Sequence, residues 1–130
     1  EQFHRIQAVQ RKNLIVPLVG DFAGPKTLRT VGDFIKEHDT TLSVFYLSNV
    51  EMYLFQQNAD WKRFYENVST IPTTPASAFI RFTVGRRTFA DWGSAEFKRR
   101  SQLWSPIDAV LTAYRTRKID DYNNVIELSQ

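Results

Sequence analysis

Apolar positions along the chain change period several times, and each change marks an element. Phe3, Ile6 and Val9, with Gln10 beside them, recur at helical spacing. This predicts a short N-terminal helix over roughly residues 1–12. Leu14-Ile15-Val16-Pro17-Leu18-Val19 is a continuous apolar run. Such a run suits a strand buried on both faces, as in a parallel sheet. Pro17 removes one ladder donor, so a bulge or an unpaired stretch is expected there. Gly20-Asp21-Phe22-Ala23-Gly24-Pro25 then breaks the pattern, with Pro25 suited to the first helical position. Leu28, Val31 and Ile35 fall on one stripe beside Gly32 and Phe34, predicting a helix to about His38.

Leu42 to Leu47 is a second apolar, β-branched and aromatic run. Strand, helix and strand in this length make a βαβ unit with a right-handed parallel crossover. Ser48 and Glu51 have the spacing of a capping box ahead of a helix through Met52, Tyr53, Leu54 and Phe55. Asp60 is placed to cap another helix, with Trp61, Phe64, Tyr65 and Val68 on one face. Residues 69–75 read as a turn-rich loop. Ala78, Ile80, Phe82 and Val84 alternate with Phe79, Arg81 and Thr83, marking a third strand half exposed or near an edge. Residues 85–103 are the least regular, with Phe89, Trp92 and Phe97 as packing anchors. Ser105-Pro106 opens a helix carrying Ile107, Val110, Leu111 and Tyr114 on one face. A short helix around Tyr122, Val125 and Ile126 ends the chain. The fold expected is α/β: a small, mostly parallel sheet of about three strands flanked by helices, in one domain over 1–130. The first strand is expected in the middle, with the second and third on either side and a switch-point cleft between.

Composition narrows the function classes. At 130 residues, 42% hydrophobic and 24% charged, the chain can bury a core and is not a disordered tail. It has no cysteine, which excludes disulfides, thiolate metal sites and a cysteine nucleophile. No apolar run reaches the ~20 residues of a membrane span, so a cytoplasmic location without membrane contact is expected. The chain starts at Glu1 rather than Met. It therefore reads as a processed product or a fragment, and a removed signal peptide fits that start. The net charge is +3, but residues 81–118 hold nine basic residues against three acidic ones. Arg86, Arg87, Lys98, Arg99 and Arg100 interleave with Phe89, Trp92 and Phe97. That pattern fits either a nucleic-acid surface or a solvated face over core anchors. The absence of any RNP, KH or zinc motif favours the solvated face.

The candidate chemistry lies at two strand ends. Ligands of open α/β sheets bind outside the carboxyl ends of the strands, against helix N-termini. Gly20 and Gly24 permit a tight turn and close backbone approach, Asp21 can accept from a ligand amine or hydroxyl, and Lys26 can meet an anion. The same residues also read as an ordinary connection with Asp21 as a local cap. The spacing is neither a dinucleotide fingerprint nor a Walker loop. Glu51 follows the second strand, where an acid can hold the hydroxyls of a ribose, or it completes the capping box with Ser48. Ser48 and Asn49 share that strand end. His4 and His38 are too few for a metal site, and no nucleophile elbow occurs.

From Asn13 to Lys26 the chain resembles a family of uncharacterised bacterial proteins. The likeness continues through Phe45-Tyr46-Leu47-Ser48-Asn49-Val50-Glu51, Tyr53-Leu54 and Phe79-Ile80-Arg81. It covers most of the chain and implies the C-terminal part of a longer protein whose helical N-terminal part is absent. More distantly, the layout resembles class I S-adenosylmethionine-dependent methyltransferases. This implies a three-layer Rossmann-like fold, here partial. It also implies S-adenosylmethionine held by the Gly20–Gly24 turn, with Asp21 and Phe22 inside it. Glu51 would bind the ribose beside Ser48 and Asn49. Phe22 departs from the small residue that the methyltransferase pattern has at that place. Asn49 and Arg81 are the candidates on the acceptor side. Two other readings stand beside this one: a non-catalytic α/β module that binds a protein partner, and a basic surface for nucleic acid.

Overall fold

A computed structural model describes residues 1–82 and 102–130. In chain order it contains α1 (Gln2–Arg11), α2 (Thr27–Glu37), β1 (Leu42–Ser48), α3 (Val50–Phe55), α4 (Asp60–Val68), β2 (Thr73–Phe82), β3 (Gln102–Pro106), α5 (Ile107–Arg115) and α6 (Tyr122–Glu127). The expected strand residues Thr83 and Val84, and the basic aromatic stretch from Arg86 to Arg100, lie outside the described residues. No helix among the described residues is long and apolar enough to cross a membrane.

The fold is mixed α/β with a small three-stranded sheet in the order β1-β2-β3. β1 and β2 are parallel, whereas β3 runs antiparallel to β2. The Leu42–Leu47 expectation is met. The middle strand is β2 rather than the Leu14–Val19 run, which joins no strand. That run is extended and open to solvent, with Leu14 68%, Val16 67% and Val19 103% exposed. An apolar run takes a buried central place only if strands pair on both its edges, and no described strand pairs with it. β2 also begins at Thr73, inside the stretch expected to be loop. Its Ser77 hydroxyl bridges the start of the strand, accepting from Thr74 N at 2.8 Å and donating to Leu42 O at 2.6 Å.

One cluster forms the core. Leu47 and Phe79 from the sheet meet Leu28, Leu54, Phe64, Tyr65, Val68, Val110, Leu111 and Val125 from the helices. Phe64 is fully buried, with the rings of Phe22, Phe45 and Phe79 about it at 6.1 to 6.3 Å. The opposite face of the sheet carries the row Tyr46, Ile80, Trp104 in cross-strand register, beside Val44, Ala78 and Pro106. On that face Val44, Tyr46 and Trp104 are 50%, 60% and 47% exposed. The described helices with buried residues thus pack into one core cluster with the Leu47–Phe79 face of the sheet.

Several local expectations change for physical reasons. Ser48 and Glu51 make no capping box. Asn49 is the N-cap of α3 without a side-chain bond, because Glu51 turns into the core. Asp60 is the first residue of α4 rather than its cap, and pairs with Arg63 instead. Pro25 precedes α2, whose N-cap is Lys26. A reciprocal cap does form at α6, where Asp121 accepts from Asn124 N and Asn124 accepts from Asp121 N. The C-terminal Gln130 bonds Trp104 in both directions at 3.0 and 2.8 Å, covering the outer edge of β3. Among the described residues, the free edge of the sheet is therefore that of β1.

Because Phe64 joins α4 to the loop before α2 and to two strands, its truncation leaves a cavity that no single element can fill. Phe64→Ala is expected to lower unfolding free energy by about 3–5 kcal/mol in chemical denaturation. Phe3→Ala, on the exposed face of α1, is expected to change it by less than about 0.5 kcal/mol.

Candidate functional site

The glycine turn is held from within. The Asp21 carboxylate accepts from Ala23 N at 2.9 Å, and Gly24 N donates to Asp21 O at 3.2 Å. The buried Asn67 of α4 donates to Phe22 O at 3.0 Å and to Gly24 O at 2.8 Å, while its own oxygen accepts from Arg29 Nε at 2.9 Å. Phe22 inserts its ring between Phe45 and Phe64. A Cβ at Gly20 would lie 2.0 Å from Thr27 Oγ1, so the turn accepts only glycine there without rearrangement. Outside the turn a cleft of about 570 Å³ is lined by Asp21, Gly24, Pro25, Arg29, Arg63 and Glu66.

The second strand end is a closed polar network. Glu51, on α3, is 1% exposed and Arg81, on β2, is 0% exposed. Arg81 Nε donates to Glu51 Oε2, and Arg81 Nη2 donates to Oε1 at 3.1 Å. The Tyr65 hydroxyl donates to the same Oε1 at 2.7 Å. Arg81 Nη1 donates to Ser105 Oγ, and to Ser129 Oγ at 3.5 Å, and the guanidinium lies 4.8 Å over the Phe79 ring. Every buried side-chain polar atom among the described residues has a partner. Burial of the phenol, reinforced by the adjoining Glu51 carboxylate, holds Tyr65 well above its ordinary value.

The expected site residues therefore occupy two places. Gly20, Asp21, Phe22 and Gly24 form a turn stapled to α4. Ser48, in the left-handed region at φ 51°, and Asn49 cap the end of β1. Glu51 points away from them into the network. No hydrogen bond or ring contact among the described residues joins the turn directly to Ser48, Asn49 or Glu51. Both places are instead tied to α4, through Asn67 and Phe64 on one side and Tyr65 on the other. Sequence reasoning did not find Tyr65, Asn67, Ser105 or Ser129. One signal was present: Arg81 shares its side of β2 with Phe79, and a charge in phase with a buried ring demands a buried counter-charge. No set of three metal-ligating side chains occurs among the described residues.

Two outcomes follow from this network. Glu51→Ala strands the Arg81 charge and is expected to cost about 3–5 kcal/mol of stability, while Glu51→Leu combined with Arg81→Met costs less than the sum of the single changes. Tyr65 is neutral in the fold, with its ionisation displaced upward. Its contribution is thus fully present below the phenol value of about 10 in the unfolded chain and is lost as pH rises through the folded value. Tyr65→Phe is expected to flatten the alkaline fall in stability measured by denaturant midpoint. It costs about 1–3 kcal/mol at neutral pH, because Glu51 Oε1 loses a donor.

Comparison with curated proteins finds no match. The family model described as a domain of unknown function (DUF7790) matches residues 1–129, and the chain belongs to that family.

Proposed function

We propose that this domain is a non-catalytic α/β interaction module whose partner supplies an extended apolar strand beside Leu14–Val19. The observation that carries this reading is the state of that segment. It is apolar and exposed, lies in no helix or strand, and none of its backbone groups from Ile15 to Gly20 pairs with another described residue. An unpaired, β-branched backbone row is the template on which strand addition works. The segment is not free to wander. Val16, Leu18, Gly20 and Phe22, alternate residues, face Leu28 and Val31 of α2 and Leu42 and Phe45 of β1 across an apolar cavity of about 370 Å³. That alternation is the period of a strand, and Val16 and Leu18 still remain 67% and 63% exposed beside the cavity. The exposed side chains of Val44, Tyr46 and Trp104 on the sheet add a second apolar surface of the kind that partners cover.

S-adenosylmethionine binding at Gly20–Gly24 draws less support from the geometry. Phe22 and Asn67 fill the turn from inside, and both oxygens of Glu51 already accept hydrogen bonds.

Selection of short random peptides displayed against the chain tests the proposal. Enriched peptides are expected to be extended and rich in β-branched residues, and to slow amide exchange at residues 15–20. Ile15→Pro removes a donor that no described residue accepts from. It is expected to leave the melting temperature unchanged and to weaken those peptides by about tenfold or more. Failure to enrich such peptides, or binding indifferent to Ile15→Pro, overturns the reading. Saturable calorimetric binding of S-adenosylmethionine would replace it with the cofactor reading.

A further inference from the structure

A second cavity, of about 780 Å³, opens between the start of α4 and the C-terminal end of α5. Its wall is aromatic and held in place. The Trp61 indole stacks on Phe55 at 4.7 Å and 11°, and meets Tyr114 edge-on at 5.9 Å. The Tyr114 hydroxyl is tethered to Glu66 at 3.2 Å. Lys62, Arg115 and Arg117 reach the same cavity, against the single carboxylate of Asp120. Lys62 Nζ sits 5.3 Å over the Trp61 ring. Among the described residues, none of the three cations takes part in an ion pair. Three like charges around one space, against one carboxylate, favour an anion between them.

Arg117 supplies an independent observation. It is the residue after the C-cap of α5 and adopts φ 57°. Arg117 N donates to Tyr114 O at 3.0 Å, and Lys118 N donates to Ala113 O at 2.8 Å, the two bonds of a Schellman ending. Glycine is the low-energy residue in that left-handed place, because it has no Cβ to crowd the carbonyl. Asn13 and Asp39 take the same left-handed place after α1 and α2, so this ending is one the fold uses repeatedly, and at α5 it carries a guanidinium to the cavity. The helix C-terminus accounts for a cation in the last turn, which Arg115 already provides. Arg117 adds a second guanidinium beyond that last turn.

We propose that this cavity binds a small phosphate-bearing molecule. The Arg115 and Arg117 guanidinium groups and the Lys62 ammonium take the phosphate oxygens, and the Trp61–Tyr114 wall takes the organic body. Guanidinium forks match phosphate geometry, and an ammonium supplies a point charge beside them. Inorganic phosphate, a sugar phosphate and a nucleotide share this chemistry.

Calorimetric titration of the chain with inorganic phosphate, ribose 5-phosphate and adenosine monophosphate tests the site and separates these sources. Saturable binding by at least one probe is expected. Tighter binding of the nucleotide assigns the wall to the base, and equal binding of all three assigns the site to phosphate alone. Arg117→Gly is the informative variant, since it removes the cation while relieving the backbone. It is expected to raise the melting temperature and to weaken the bound probe by about tenfold. Lys62→Ala, at an exposed position of α4, is expected to weaken the probe without changing the melting temperature. No saturable binding of any of the three probes, or binding undiminished in both variants, overturns the proposal.

Discussion

The buried pair of Glu51 and Arg81 is the constraint on which the arrangement of elements turns. Two opposite charges removed from water persist only if each finds its full set of partners. Here the set is drawn from five places: α3 supplies the carboxylate, β2 the guanidinium, α4 the Tyr65 hydroxyl, β3 the Ser105 hydroxyl and the C-terminal segment Ser129. None of these groups can shift without orphaning another. The network thereby sets which face of β2 turns toward the helices, and which way α3 rolls at the end of β1. It also explains why a residue with the spacing of a helix cap serves no cap. Neutralising Arg81 inside the core is worth more than one backbone N–H that Asn49 leaves to solvent.

That choice of face shapes the surface as well. β2 alternates between two apolar-looking rows, Phe79 with Arg81 and Ala78 with Ile80 and Phe82. Periodicity alone favours burying the second row, because it contains no charge. The fold buries the first, and the second becomes the open side with Tyr46 and Trp104. The domain accordingly presents two unlike surfaces. One is a helical layer with polar clefts, including the cavity edged by Lys62, Arg115 and Arg117. The other is a sheet face on which Val44, Tyr46 and Trp104 are exposed. The extended Leu14–Val19 run adds unpaired backbone to the domain's exposed apolar surface. The two proposals made for this domain therefore rest on separate surfaces.

The glycine turn shows how a ligand motif and a structural joint share a sequence. Gly20, Gly24 and Asp21 give the turn its tightness, and the same features suit a phosphate or nucleoside loop. What decides its occupation is Phe22, whose ring enters the core between Phe45 and Phe64, together with Asn67, which takes the loop carbonyls. The loop amides and carbonyls are engaged by the protein itself. The departure from a small residue at Phe22 was legible in the sequence. The contribution of Asn67, more than forty residues away, was not.

Local chemistry was readable where it depends on neighbours in the chain. The helical stripes of α2, α4 and α5, the Leu42–Leu47 strand and the closing helix around Val125 all follow from spacing, because a helix or a strand is specified by side chains a few positions apart. The partners of Glu51, the middle position of β2 and the buried side of its alternation were decided only in three dimensions. Each depends on a group from a distant segment that pays the desolvation of another. The Leu14–Val19 run marks the boundary between the two. Its sequence determines that it is extended and apolar, whereas being a strand requires a neighbour to accept its hydrogen bonds. Arg117 lies on the same boundary: its sequence position announces a charge after a helix, but only the left-handed backbone and the cavity beside it give that charge a direction.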